Sequence, residues 1–180
     1  MERDAERRRQ FEEAIVPLLD GLHRAAMALT RRDADAQDLV QEACLRAYRS
    51  FHTYARDENF KAWIFVIVRN AWLDQCRRRR VEAVMPLDVE PPSAAPPAPL
   101  DLDRALPDDL RRAYQSLSPA HQLLITLVDI ESFTYAEAAA VIGCPIGSVM
   151  SGLHNARKRL RESLSREREK EKEGERGKEA

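Results

Sequence analysis

The chain has 180 residues, is 44% hydrophobic and 33% charged, and carries 29 Lys and Arg against 30 Asp and Glu. That length allows one ordinary domain or two small ones, and ten prolines with only 6% aromatic residues argue against collagen-like, barrel-like and propeller-like folds. No run approaches the roughly 20 consecutive apolar residues of a membrane helix. Met1-Glu2-Arg3-Asp4 leads into no apolar stretch, so no secretory signal is expected and the chain reads as cytoplasmic. Cys44, Cys76 and Cys144 have no C-x-x-C spacing and read as reduced, buried thiols rather than disulfides or zinc ligands. No metal or cofactor is expected.

In chain order the elements are all helical, so the fold class is all-α, built as two small helical domains. Phe11, Ile15, Leu18, Leu22, Ala26 and Leu29 recur at three- and four-residue steps, with Pro17 either starting or kinking that helix. A second helix begins after Asp33 or Asp35 as N-cap, and its stripe is Leu39, Ala43, Ala47 and Phe51. A polar loop at 52–59 precedes a third helix over about 60–80, with Trp63, Ile64, Ile67, Val68 and Ala71 inward. Residues 83–105 form an acidic, proline-rich linker that cannot be helix interior or central strand. It divides a first module, 1–82, from a second, 106–164, and predicts two bundles held apart. The charged stretch 165–180 is a solvated helix extension or a disordered tail.

The second module carries the sharper pattern. A short helix over 106–117 is followed by one over 121–129 capped by Ser118-Pro119. Thr134 and Glu137 then have the spacing of a capping box, opening a helix over 135–142 that Gly143 ends. The turn 144–148 leads into a last helix through Leu164, which makes a helix-turn-helix. With Val149, Leu153, Ala156 and Leu160 inward, Met150, Ser151, His154, Asn155 and Arg157 point outward to read base edges. The N–H groups of Gly147 and Ser148 are placed to hold a phosphate, and Arg157, Lys158, Arg159 and Arg161 supply salt-dependent phosphate contacts. In the first module the run 77–80 is four arginines, more than a helix dipole needs. Phe60 and Trp63 can stack on an unpaired base, although Trp63 fits the core better. Gln37, Asp38, Gln41, Glu42, Leu45 and Arg49 form an acidic, amide-bearing face that repels DNA and suits a protein partner.

Asp35-Ala36-Gln37-Asp38-Leu39-Val40-Gln41-Glu42-Ala43, then Phe60-Lys61-Ala62-Trp63-Ile64-Phe65 and Val68-Arg69-Asn70, resembles region 2 of bacterial RNA polymerase sigma factors. Leu117-Ser118-Pro119, Phe133-Thr134-Tyr135-Ala136-Glu137 and Gly147-Ser148-Val149-Met150-Ser151 through Ala156-Arg157 resembles region 4. Having only these two regions is similar to the extracytoplasmic-function (ECF, group IV) class of the sigma-70 family. The resemblance covers about residues 10–80 and 105–164 and implies a non-catalytic subunit that directs core RNA polymerase to promoters. It implies that Asp38, Gln41, Glu42 and Leu45 bind the clamp coiled coil of the largest polymerase subunit. It places Asn59, Phe60, Lys61, Trp63, Arg69, Asn70, Arg77 and Arg78 on the −10 element, with a flipped base held by the loop before Phe60. Gly147, Ser148, Met150, Ser151, His154, Asn155, Arg157, Lys158 and Arg159 would read the −35 element. The linker would thread toward the active-site channel, and an anti-sigma factor is an expected partner.

The chain departs from that pattern at Met150, Gly152 and Asn155, where the family commonly carries cations. Gly152 also costs a helix about 1 kcal/mol relative to Ala, while Asn155 can pair bidentately with adenine, so an unusual −35 preference is expected. A sequence pI near 6.5 is low for a free DNA-binding domain and suits a subunit that meets DNA only when docked on a larger enzyme. A stand-alone helix-turn-helix regulator has no use for the clamp-binding face, and a decoy for an anti-sigma factor gains nothing from arginine clusters. An enzyme is not expected: there is no phosphate-binding glycine loop, and His23, His52, His121 and His154 fall in separate segments.

Overall fold

A computed structural model describes residues 2–54, 59–84 and 107–176, and these are helices joined by short turns, with no strand among the described residues. The linker beyond Val84, the loop 55–58 and the ends of the chain lie outside them. Helix α1 spans Glu2–Ile15, and α2 spans Leu19–Thr30. Between them Pro17, which has no N–H to donate, sits in a single tighter turn, Val16–Leu18, so the proline kinks one continuous apolar face. Arg31 closes α2 in the left-handed conformation (φ 61°) with its N–H on the Met27 carbonyl.

Helix α3, Asp33–Ser50, starts without the aspartate N-cap that its sequence suggests. Extended Arg32 is the cap residue, and the Asp33 carboxylate bonds His23 Nε2 at 2.9 Å and Gln37 Nε2 at 2.7 Å instead. Ala36, Leu39, Ala43 and Ala47 of α3 are fully buried, as are Ile64, Val68 and Ala71 of α4, Phe60–Val84. Small side chains at three- and four-residue steps let α2, α3 and α4 pack closely. At one end Phe11, Tyr48, Phe51, Tyr54, Phe60 and Trp63 meet as an aromatic cluster, with centroid separations from 5.2 to 6.3 Å.

The second module starts at α5, Asp108–Gln115, two residues later than its sequence pattern. Helix α6, Pro119–Ile125, takes Ser118 as its cap, and the expected continuation to Asp129 is instead a widened turn, Thr126–Ile130. There the Glu131 N–H reaches back five residues to the Thr126 carbonyl at 2.8 Å. Tyr114 stands beside it, its hydroxyl 2.7 Å from Thr126 Oγ1, and burial pushes its phenol up to about 12. Helix α7, Tyr135–Ile142, has the full capping box: the Glu137 N–H donates to Thr134 Oγ1, and the Thr134 N–H donates to Glu137 Oε2. Gly143 (φ 72°) ends it. Helix α8 then runs from Ile146 to Arg176, so the charged stretch after Leu164 continues the same helix. A Cβ at Gly152 would stand 2.7 Å from Leu124 Cδ1, so this glycine serves the close approach of α8 to α6.

The two modules are not held apart. Helix α2 packs on α6, α4 packs on α7, and the buried residues form one continuous core from Phe11 to Ala156. Phe65 of α4 meets Phe133 edge to face at 5.0 Å, and both rings are buried. Neither module exhausts its apolar faces internally, and joining them removes the remainder from water. Beside this contact lies an apolar cleft of about 230 Å³, lined from one side by Leu29, Trp72 and Leu73 and from the other by Leu123, Leu124 and Ile142.

Two carboxylates tie stability to pH. The Arg46 and Arg77 guanidiniums hold Asp74 below its usual 3.8, and the Thr134 N–H and hydroxyl hold Glu137 below its usual 4.5. A depressed folded-state value contributes stability above the unfolded value, and that contribution is lost as the pH falls through the folded one. Denaturant midpoints are therefore expected to drop on acidification from about pH 5 to about pH 3. Glu137→Gln should flatten part of that fall, as read from midpoint against pH.

Candidate nucleic-acid and polymerase interfaces

The first turns of α8 present the helix-turn-helix face. Val149, Leu153 and Ala156 are buried, while Gly147, Ser148, Met150, Ser151, His154, Asn155, Arg157, Lys158 and Arg159 are all exposed. The chemistry of that face differs from the sequence reading in three places. The Ser148 N–H already donates to the Pro145 carbonyl at 2.9 Å, so it is not free for a phosphate. Ser151 turns its hydroxyl back onto the carbonyls of Gly147 and Ser148, at 3.0 and 3.2 Å. Arg157 grips the Asp129 carboxylate with Nε and Nη2, which ties up its fork. Lys158 lies 3.9 Å from Glu162, a loose pair. The exposed base-reading groups are then Met150, His154 and Asn155. Ile146, 48% exposed and one turn before Met150 at 53%, adds an exposed apolar pair that sequence reasoning missed, although the four-residue spacing was visible.

The outward face of α3 carries Asp38, Gln41 and Leu45, all exposed, Leu45 by 49%. Glu42 is half-buried and held by Arg46 Nε at 2.7 Å, and Arg46 also reaches Asp74 Oδ2 at 2.6 Å. Asp74 in turn accepts from Arg77 Nη2 at 2.5 Å. Arg77, expected on DNA, is thus part of an ion-pair chain that braces α3 against α4. Arg78 is exposed, and Arg79 stands a distant 3.9 Å from Asp35.

The groups expected on the −10 strand are distributed differently again. Phe60 and Trp63 are half-buried, and both rings are engaged in the aromatic cluster. Asn59 caps α4 by accepting from the Ala62 N–H at 3.2 Å, and its Nδ2 donates to Glu137 Oε1 of the second module at 2.6 Å. Lys61 also faces that module: Nζ donates to the Glu131 carbonyl at 2.5 Å, lies 3.4 Å from Glu131 Oε2, and sits over the Phe133 ring. Arg69 donates to Asn70 Oδ1 at 3.0 Å and lies against Gly143, where a Cβ would come within 2.3 Å of its guanidinium. Asn70 itself is exposed. Of the loop 52–59 expected to capture a flipped base, residues 52 and 53 belong to a tight helical turn, Phe51–Thr53, and residues 55–58 lie outside the described residues.

Glu131, which the sequence reading passed over, is the buried acid at the centre. Its side chain is 8% exposed, and Oε1 accepts from Arg24 Nε and Nη2 at 2.8 and 2.6 Å. No local pattern marks it, because its partners lie 107 and 70 residues away in the chain.

Among the described residues no three His, Cys, Asp or Glu side chains gather as a metal site, and no single helix is long and apolar enough to cross a membrane. Cys44, Cys76 and Cys144 are unpaired and half-buried, and burial pushes the Cys44 thiol up.

Residues 15–82 match the family profile of sigma-70 region 2, and residues 108–160 match that of sigma-70 region 4. The chain is 35% identical to the ECF RNA polymerase sigma factor SigE of Mycolicibacterium smegmatis, over 87% of this chain and 62% of that protein. It thus spans less than two thirds of that relative's length. It is 30% identical to the ECF RNA polymerase sigma factor EcfG of Rhodopseudomonas palustris, over 81% of this chain and 80% of that one. Among solved structures it is similar to the sigma factor RpoE of Bartonella quintana, in complex with the anti-sigma factor NepR, with a TM-score of 0.68 and 30% identity. That likeness covers 87% of this chain and 97% of the other. Two profile matches in the order of the two helical modules, and a relative 30% identical over four fifths of its length, make the chain a member of the sigma-70 family, of the ECF RNA polymerase sigma factors.

Proposed function

We propose that this chain is the promoter-specificity subunit of RNA polymerase: docked on the core enzyme, its first module holds the −10 element and its second module reads the −35 element. The observation that carries this is the pairing, on one chain, of an exposed acidic and aliphatic face on α3 with a separate exposed helix-turn-helix face on α8. Asp38, Gln41 and Leu45 offer carboxylate, amide and aliphatic surface suited to the clamp coiled coil, with Glu42 braced by Arg46. Met150, His154 and Asn155 face base edges, and Lys158 and Arg159 contact phosphates. Arg78, Asn70, Phe60 and Trp63 serve the −10 strand once the module is accessible. The linker 83–105, whose first two residues end α4 and whose remainder lies outside the described residues, is read as the acidic segment that enters the polymerase channel. The likeness to RpoE, crystallised with NepR, supports an anti-sigma factor as a regulatory partner. This role is non-catalytic and cytoplasmic.

The decisive experiment is in vitro transcription by purified core polymerase with this chain on a randomised promoter library. Core-dependent initiation is expected, from templates whose −35 sequences differ from the common family consensus because Met150, Gly152 and Asn155 replace cations. No initiation from any template overturns the proposal, and recovery of the common consensus overturns the −35 reading.

Two variants separate the surfaces. Leu45→Asp puts a charge at an exposed position and should weaken co-migration with core enzyme by at least about tenfold while leaving the helical circular dichroism unchanged. Asp129→Asn releases the Arg157 fork, so the plot of log affinity against log salt for −35 duplex DNA should steepen by about one unit.

A further inference from the structure

The first two turns of α8 spend their hydrogen-bonding groups on their own backbone. The Ser148 N–H is taken by the Pro145 carbonyl, and the Ser151 hydroxyl by the carbonyls of Gly147 and Ser148. What this end of the helix-turn-helix face offers outward is aliphatic: Ile146 is 48% exposed and Met150, four residues on, is 53% exposed. Four-residue spacing puts both on one side of the helix, with His154 next in the same row. Gly147 beside them faces open space, since a Cβ there would meet nothing within 4 Å. The backbone at Gly147 can therefore approach a groove edge more closely than a side chain would allow. A solvated helix face gains nothing from two large aliphatic side chains in one row, and the inward row, Val149, Leu153 and Ala156, already supplies the buried packing.

We infer that Ile146 and Met150 read the C5-methyl groups of two thymines in the −35 element. The inference deepens the proposed −35 role of α8 and rests on it. In the major groove the thymine methyl is the one apolar group among donors and acceptors, and aliphatic side chains are what select it. Four residues of helix advance about 6 Å and a base step about 3.4 Å, so the two thymines stand about two base pairs apart. Ile146, branched at Cβ, is stiff and fixes one contact; Met150, unbranched and polarizable, adapts to the second. His154 and Asn155 then take the hydrogen-bonding edges farther along the helix. Removing methyl groups from water involves no charge, so this selection does not add to the salt dependence.

The test uses holoenzyme assembled from core polymerase and the full chain, on a promoter recovered from the randomised library. Each −35 thymine is replaced in turn by deoxyuridine, which keeps the base pair and lacks only the methyl group. Anisotropy of a fluorescein-labelled promoter fragment reports affinity across a salt series. At two positions the replacement should weaken binding by about fourfold each, the value of one buried methyl, with the slope against log salt unchanged. Ile146→Ala and Met150→Ala should each abolish the preference at one of those positions, whereas His154→Ala should retain it at both. Equal affinity for thymine and deoxyuridine promoters overturns the inference, as does a recovered −35 element without thymine on either strand. A preference that survives when Ile146→Ala and Met150→Ala are combined, or that His154→Ala also abolishes, overturns it as well. Initiation separates the two readings: a failed methyl reading leaves transcription from both promoters intact, whereas failure of the sigma reading abolishes it from every template.

Discussion

A carboxylate removed from water must be met by cations and donors or it cannot stay charged, and Glu131 is that carboxylate here. Arg24 from α2 and Lys61 from α4 converge on it across the boundary between the modules. The absence of a side chain at Gly21 lets it approach. The widened turn Thr126–Ile130 and the left-handed Ser132 (φ 58°) deliver it to that point. Phe133, the next residue, enters the shared core against Phe65. The polar contact helps set the register and the aromatic contact supplies buried area, so three consecutive residues join the packing of α2 on α6 and α4 on α7 in placing the two bundles. Asn59 with Glu137 and Arg69 with Gly143 extend the same seam along α4 and α7.

The arginines explain how a DNA-directed protein can be nearly neutral. Arg24, Arg46, Arg77 and Arg157 are all committed to acids of their own chain. Arg46 braces α3 on α4 through Asp74, which also holds Arg77 within α4; Arg24 with Glu131 joins the modules, and Arg157 with Asp129 holds α8 against the turn after α6. Other cations, among them Arg49, Arg78, Lys158, Arg159, Arg161 and Arg166, are exposed. With 29 Lys and Arg against 30 Asp and Glu, the net charge gives little sequence-independent grip on DNA, which fits a subunit that meets promoters when docked on a larger enzyme. The polar and apolar groups Met150, His154 and Asn155 then carry a larger share of discrimination than charge does.

Much of this was readable from local chemistry. The helix starts and stops at Pro17, Ser118, Thr134 with Glu137, and Gly143 are decided within a few residues, by a missing N–H, a capping oxygen or a tolerated positive φ, and they stand as the sequence implies. The inward stripe Val149, Leu153 and Ala156 follows from period alone. The Asp33 cap was misjudged because His23, ten residues away, competes for the carboxylate. The end of α6 was misjudged because a widened turn has no sequence signature. The extent of α8 past Leu164 was left open because alternating charges suit both a solvated helix and a coil.

Sequence by itself determined the helical class, the two modules and their order, and which residues of α3 and α8 face outward, because periodicity and capping act over one or two turns. Only the tertiary structure decided which outward groups are free. Whether Arg157, Lys61 or Asn59 meets solvent or an internal partner depends on acids that lie 28, 70 and 78 residues away in the chain, and no local pattern encodes that meeting. The same reason governs the closed arrangement: a proline-rich linker reads as a spacer, yet apolar faces left uncovered on both bundles, and one acid between two cations, bring them together.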